Sequence, residues 1–474
     1  MGMILRTSSF LLVATLCHAK HGCEQKIDAI NKNALSLEAQ CQEIQTKADA
    51  LVAGGCCGGS GVECVCAPAL IIDGTDPIPA TAPGSYCLTV DVLTKGIEAG
   101  DGVVIDLNGH TAQYIFGQIN AHFTVKNGSV LNQLTASGDG SAFVYGVKVP
   151  EVLGGTQMLV DCSGLISING VGSATLVRCS GGDDPLAITT NSQNVTMIDS
   201  YFGRQVSGDE YLESLKIYRS TLKAGLSLSG ATTNLSELCI YESILGDVSL
   251  VGAYTYPVRM LIEASRLGDC EFGQIDGVTN FSSGLVTLSQ IGNALCKQCV
   301  GLTFNGCQVM GEMSFVECQD IECDNDSVHQ VSGDALIVDA GKSIVVRDCF
   351  TTVGGASGFA ESGYSFNGVT ESLVVLNCYA KGCPTGFLIN NPIDGFTGVI
   401  KECVADGCSQ ASYKQSNGQA SLFAYGNVAI SNAGVPVVNY DVNALAKFNP
   451  LVTSLTAIET DTVTSWRNIS FELP

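Results

Sequence analysis

Long apolar runs are scarce in this 474-residue chain. Beyond the N-terminus no stretch approaches the roughly 20 apolar residues that a helix needs to cross a bilayer, which excludes a transmembrane helix from the mature chain. Positive charge is scarce as well. Lys and Arg number 23 against 46 Asp and Glu, and a net charge of −23 repels phosphate backbones instead of releasing their counterions, so nucleic acid is not an expected partner. Proline is rare, 12 residues against 54 glycines, a balance that suits many tight turns rather than long helices. Tryptophan occurs once, at Trp466, in a C-terminal stretch that reads as a cap or tail. The segment that ends Phe471 to Pro474 follows too few strands to make a self-exporting outer-membrane barrel.

What is abundant is one short phrase. Apolar and polar residues alternate and then stop at a Cys, Ser, Asn or Gly: VIDLNG ending at Gly109, FTVKNG at Gly128, LVDC at Cys162, LVRC at Cys179, MIDS at Ser200, IYRS at Ser220, IYES at Ser243 and IEAS at Ser265. It continues as FVEC at Cys318, VVRDC at Cys349, VVLNC at Cys378 and VIKEC at Cys403. The steps are mostly about 17 to 31 residues, the length of one coil of short strands and turns, and the period of two inside each phrase is that of a strand. The recurrence predicts an all-β fold, a parallel β-solenoid with an inward stripe of Val, Leu, Ile and Phe. Asn108, Asn127, Asn305 and Asn377 fall where a strand turns, a place that suits left-handed backbone angles.

VVIDLNGHT at Val103 to Thr111, with the stops that follow it, resembles the right-handed parallel β-helix proteins of the pectin-lyase-like superfamily, especially their uncharacterised exported surface members. The resemblance covers roughly residues 68 to 430 and implies a single-stranded, right-handed β-helix, with 431–474 as its C-terminal cap.

The N-terminal 19 residues, with Arg6, the apolar run Phe10 to Leu16 and Ala19, read as a secretory signal. Leu16 before Cys17 fits a lipoprotein signal poorly. Between residues 23 and 53, Ile27, Ala34, Cys41 and Ala48 alternate with Ile30, Leu37, Ile44 and Leu51 at spacings of three and four, with no Gly or Pro between them. This predicts an α-helical coiled coil that makes the chain a homo-oligomer. A single amphipathic helix covering the open end of the solenoid would also need an apolar stripe. The Gly/Cys-rich linker over 54–67 favours a stalk that stands away from the coils.

Twenty-two cysteines in an exported chain suggest disulfides, with Cys56, Cys57, Cys64 and Cys66 the crowded candidates. Cys349, Cys378 and Cys403 differ in kind: they recur at equivalent stops, where parallel Cβ vectors resist the disulfide dihedral, so stacked buried thiols are expected. Cys383 and Cys408 repeat five residues after the last two stops.

Catalytic and metal chemistry is thinly represented. Hydrolases of the pectin-lyase-like group share a GDD that Gly182, Asp183 and Asp184 match, and the resemblance implies paired carboxylates for inverting hydrolysis. The Asn-Thr-Asp, Gly-His-Gly and Arg-Ile-Lys segments of that pattern are lacking, so Asp183 and Asp184 read as a turn before Pro185. Lyases of the group need calcium-binding carboxylates with a basic residue, for which Arg266 or Arg347 lacks a matching acidic set. The densest acidic group is Asp320, Glu322, Asp324 and Asp326, with His329 nearby. It is oxygen-rich enough for calcium, the one cofactor these residues suit, but lacks the Gly and terminal Glu of a helix-loop-helix site and reads as a solvated loop. His110 and His122 read as structural.

The expected function is that of an exported, non-enzymatic β-helix at the cell surface or outer envelope, an oligomeric adhesin or display protein binding a glycan or a host-surface protein. A polysaccharide lyase or glycoside hydrolase is the alternative.

Overall fold

The computed structural model describes residues 39, 42–50, 52, 78–189, 192–228, 230–254, 258–273, 283–353, 362–390, 396–416 and 421–431, with the strands Val438–Asp441, Lys447–Phe448, Leu451–Val452 and Asn468–Glu472. The chain divides into two compact units, residues 1–65 and 66–474.

In the first unit a helix covers 42–50. Ala48 is buried and Ile44 half-buried on one side, while Glu43, Thr46, Lys47, Asp49 and Ala50 are exposed, the one-sided pattern of an amphipathic helix. Lys47 Nζ lies 2.6 Å from Glu43 Oε1, one turn away. The other positions of the expected seam, Ile27, Ile30, Ala34, Leu37, Cys41 and Leu51, lie outside the described residues. So do the signal segment and Cys56, Cys57, Cys64 and Cys66. Among the described residues no helix is long and apolar enough to cross a membrane.

The second unit is a parallel β-solenoid. Each coil contributes a strand to a first face, which opens with Ile78–Ala80 and Val92–Ala99, and to a second face, which opens with Gly84–Cys87 and Val103–Asp106. The two faces merge into one 37-stranded sheet. A third, narrower face begins at Tyr201–Phe202 and forms ladders of three and nine strands, bridged through Arg266 to Ile244 and Gln290.

Register is kept from coil to coil. On the second face Ile105, Val125, Val144, Leu159, Leu176, Met197, Ile217, Ile240, Ile262, Val286, Phe304, Cys323, Val346, Val375 and Ile400 are successive partners, all buried. β-Branched side chains dominate this column because parallel strands covered by the next face need apolar, rigid residues. Burying each contributes about 1.5–3 kcal/mol. Inside the first face Tyr364, Phe387 and Tyr413 stack with centroids 4.7 and 5.0 Å apart and planes 2° and 4° from parallel. Their phenols are satisfied: Tyr364 donates to Cys349 O at 2.8 Å and Tyr413 to Cys403 O at 2.7 Å.

The corner between the second and third faces explains the stops. From Asp161 onward a residue in the left-handed region ends each second-face strand, and the next side chain turns inward. Asn108 and Asn127, with φ of 50° and 57°, are left-handed as well but precede glycines. The left-handed residues that end strands include Asn377, with φ 51°. They also include Asp161, Arg178, Asp199, Arg219 and Glu242. Asn305 differs from expectation: it ends its strand, and Gly306 takes the left-handed place with φ 65°. The inward residues form a ladder running Cys162, Cys179, Ser200, Ser220, Ser243, Ser265, Ser289, Cys307, Asp326, Cys349, Cys378, Cys403 and Asn427, all buried. Ser200, Ser220, Ser243 and Ser265 each donate their N–H to the hydroxyl of the next, at 3.0, 3.1, 3.2 and 3.2 Å. Cysteine fits the same slots as a free thiol: Cys349, Cys378 and Cys403 are unbridged and buried. Cys87 is disulfide-bonded.

Cys318 corrects the assignment of coils. It follows the first-face strand Met313–Val316, so it sits at a different corner from Cys349, and Asp326 is the true inward residue between Cys307 and Cys349. The segment read as a wide acidic loop is therefore the strand Gln319–Asp324 of the second face. Pairing also runs past residue 430, with Val438–Asp441 on the first face and Asn468–Glu472 against Val428–Ser431 on the third.

Candidate functional site

The acidic residues singled out from the sequence do not converge. Asp183 and Asp184 are exposed at a bend, and Arg204 uses its Nε on the Asp183 carbonyl at 3.0 Å rather than on a carboxylate. Alternation along the strand separates the other set. Asp320 is exposed at the first corner, Glu322 and Asp324 face outward, and Asp326 faces the core. Glu322 is bonded to the Arg347 guanidinium, and Asp324 lies 3.7 Å from it. Burial lifts the Asp324 carboxyl above the usual range, with Arg347 opposing. Among the described residues no group of three or more His, Cys, Asp and Glu is arranged to hold a metal ion. Arg266 is exposed on the third face. His110 lies 3.3 Å from Asp91, whose carboxylate also takes the Thr111 N–H at 2.8 Å. His122 bonds Ser141 Oγ at 2.8 Å. Both histidines tie neighbouring coils together.

The third face presents a feature that periodicity did not expose. The residue after each inward stop points outward, and these residues are in register from coil to coil: Gln290, Gln308, Ser327, Phe350, Tyr379, Val404 and Val428. Phe350 and Tyr379 are half-buried and stack at 5.5 Å and 19°. Gln290 donates to Gln308 at 3.3 Å.

Two residues further along each strand runs a second outward column, His329, Thr352, Lys381 and Asp406. His329 Nδ1 lies 2.9 Å from Thr352 Oγ1, and its ring is 5.9 Å from Phe350. Tyr379 donates to Asp406 Oδ2 at 2.5 Å, and burial together with that carboxylate pushes its hydroxyl up to about 12. From Phe350 to Val428 the strip therefore sets aromatic and apolar side chains beside a column of hydrogen-bonding ones, stepping once per coil at about 4.8 Å. A sequence signal for it exists in the dipeptides Cys349-Phe350 and Cys378-Tyr379, where an aromatic directly follows the stop. Comparison of the chain with protein-family models, with curated proteins and with solved structures finds no match.

Proposed function

We propose that this chain is an exported, non-enzymatic surface or envelope protein, an oligomeric display or adhesion molecule that binds glycan along the third face of its solenoid. The observation that carries the reading is the two-column strip. Stacked Phe350 and Tyr379 offer apolar surface to the C–H faces of sugars, and His329, Thr352, Lys381 and Asp406 offer hydrogen bonds at the same coil spacing. The winding is right-handed in this reading, as parallel crossover connections overwhelmingly are, and the coils are of the pectin-lyase-like type. The reading of 23–53 as the oligomerising stalk rests on its heptad spacing of three and four.

Glycan-array binding by the purified chain tests the proposal. Binding without turnover, reduced at least tenfold by Phe350→Ala with Tyr379→Ala, is the expected result. Release of reducing or unsaturated ends from polysaccharide, abolished by Asp183→Ala and Asp184→Ala, would replace it with the enzyme reading. Light scattering with and without residues 23–53 tests the stalk, and an unchanged mass would reject it.

A further inference from the structure

Apart from Asp326, an inward side chain at the second corner performs two tasks. It accepts the N–H of the equivalent residue one coil earlier, and it donates to a carbonyl. Ser220 accepts from Ser200 at 3.0 Å and donates to Tyr218 O at 2.8 Å. Cys403 accepts from Cys378 at 3.5 Å and donates to Lys401 O at 3.3 Å. Asn427 accepts from Cys403 through Oδ1 at 2.9 Å and donates through Nδ2 to Ile400 O at 3.0 Å.

Asp326 occupies the same slot, 1% exposed. Its Oδ1 accepts the Cys307 N–H at 2.7 Å, while Oδ2 is buried without a hydrogen-bond partner. An ionised carboxylate only accepts; a carboxylic acid also donates. The carbonyl that corresponds to Ile400 O, one coil before Asp326, belongs to Phe304 in the same inward column.

Burial is the largest influence on Asp326 and disfavours its charge, while hydrogen bonds from the Cys307 backbone and thiol and from the Asp324 backbone oppose it. Thiols of Cys307, Cys323 and Cys349 approach it from its own and the adjoining coils, and Asp324 adds repulsion from its own strand. Beyond Asp324 lie Glu322, Asp348 and Arg347, the last already engaged by the outward carboxylates.

We propose that Asp326 is held as a neutral carboxylic acid whose Oδ2 donates to the Phe304 carbonyl, and that its ionisation is a built-in pH device that loosens the coils between Phe304 and Cys349. Burial pushes the carboxyl up to about 7, against the opposing hydrogen bond from Cys307. The folded value lies above the unfolded one of about 3.9, so the neutral acid's contribution is complete below that value. It is lost as pH rises through the folded value, and the deficit is constant above it.

The full chain with Asp326→Asn tests this, because the amide supplies the donor that Asn427 supplies and cannot ionise. The variant and the wild type are expected to melt together near pH 4. A gap in favour of the variant opens up to pH 7 and then levels, at a limit of about 10³-fold in the unfolding constant. Hydrogen exchange at the Cys307 amide, corrected for intrinsic rate, rises over the same range in the wild type only. Asp326→Ser, which restores the hydroxyl of the serine rungs, should remove the pH slope likewise. A gap that does not change with pH, exchange unaffected by pH in the wild type, or failure of both neutral variants to fold would overturn the proposal.

Discussion

Arg219 grips Asp199 across one coil boundary, Nε to Oδ1 at 2.8 Å and Nη2 to Oδ2 at 3.1 Å, and both residues have left-handed backbones, with φ of 46° and 50°. Two coils earlier Arg178 holds Asp161 in the same two-pronged way, at 2.7 and 3.0 Å. The outer edge of this corner thus alternates acid and base along four coils. A left-handed angle costs an ordinary side chain about 1–2 kcal/mol. A partly exposed ion pair returns no more than about 1 kcal/mol, so the pairs offset only part of that strain. The inward hydrogen-bonded ladder beneath them supplies the rest of the constraint.

Arg219→Gly removes the ion pair and the strain together, and its net effect should stay within about 1 kcal/mol of wild type. Arg219→Ile keeps the angle and adds a branched Cβ, so it should lose about 1–3 kcal/mol. Urea denaturation separates the two. If glycine is as damaging as isoleucine, backbone strain does not govern this corner.

The stack of Tyr364, Phe387 and Tyr413 has no room to close around a hole, because the flanking rings are themselves held by their phenols. Phe387→Ala should cost about 3–5 kcal/mol. Tyr413→Phe should cost about 1 kcal/mol, since the Cys403 carbonyl keeps its bond from the Val428 N–H at 2.8 Å. Equal losses in the two variants, measured by the same denaturation, would contradict the packing account.

Cys378 accepts no disulfide partner and occupies a slot that serine fills elsewhere in the ladder. Cys378→Ser should therefore change stability by no more than about 1 kcal/mol, while Cys378→Leu overpacks the corner and should lose about 1–3 kcal/mol. Burial raises this thiol well above its usual range, so a maleimide should label it only after unfolding. Fast labelling of the native chain at Cys378 would show that the corner opens.

Arg347→Met leaves Glu322 and Asp324 facing each other without their cation, and should cost about 1–3 kcal/mol at pH 8. The loss should shrink on acidification as the two carboxyls take up protons. Burial already holds the Asp324 carboxyl above the usual range. A deficit of the same size at pH 4.5 and pH 8 would mean that Arg347 acts through its packing alone.

The solenoid was legible because its signal is redundant: an inward Val or Ile recurs in coil after coil, so loss of the pattern at any one phrase leaves the period intact. The stacked thiols at Cys349, Cys378 and Cys403 were legible for the same reason. Corner identity was not. FVEC and VVRDC look alike, yet Cys318 ends a first-face strand and Cys349 a second-face one, because both corners place a small, weakly polar side chain inward after a left-handed residue.

Asp326 was read with the acidic group as part of a solvated loop because a charged residue type normally marks a surface, whereas here its slot asks for a donor and an acceptor. The third face was hidden by shortness. Strands such as Gln308–Val309 are too brief to show a period, so only vertical comparison of Phe350 with Tyr379 brings out the outward column. Arg178, Arg219 and Glu242 at left-handed angles run against residue preference, and only their cross-coil partners or neighbours in the corner account for them.

The continuous register of the second face has a genetic consequence. Excision of residues 286–303 would bring Phe304 into the slot of Val286, beneath Ile262, and Cys307 into that of Ser289, beneath Ser265. Every column would close again with one rung fewer, and the stack would shorten by about 4.8 Å. A coil is thus a cassette that duplication can add and deletion can remove without a new fold having to be found. In such a molecule length is a heritable quantity that can drift in whole steps, while the chemistry of each remaining step stays as it was.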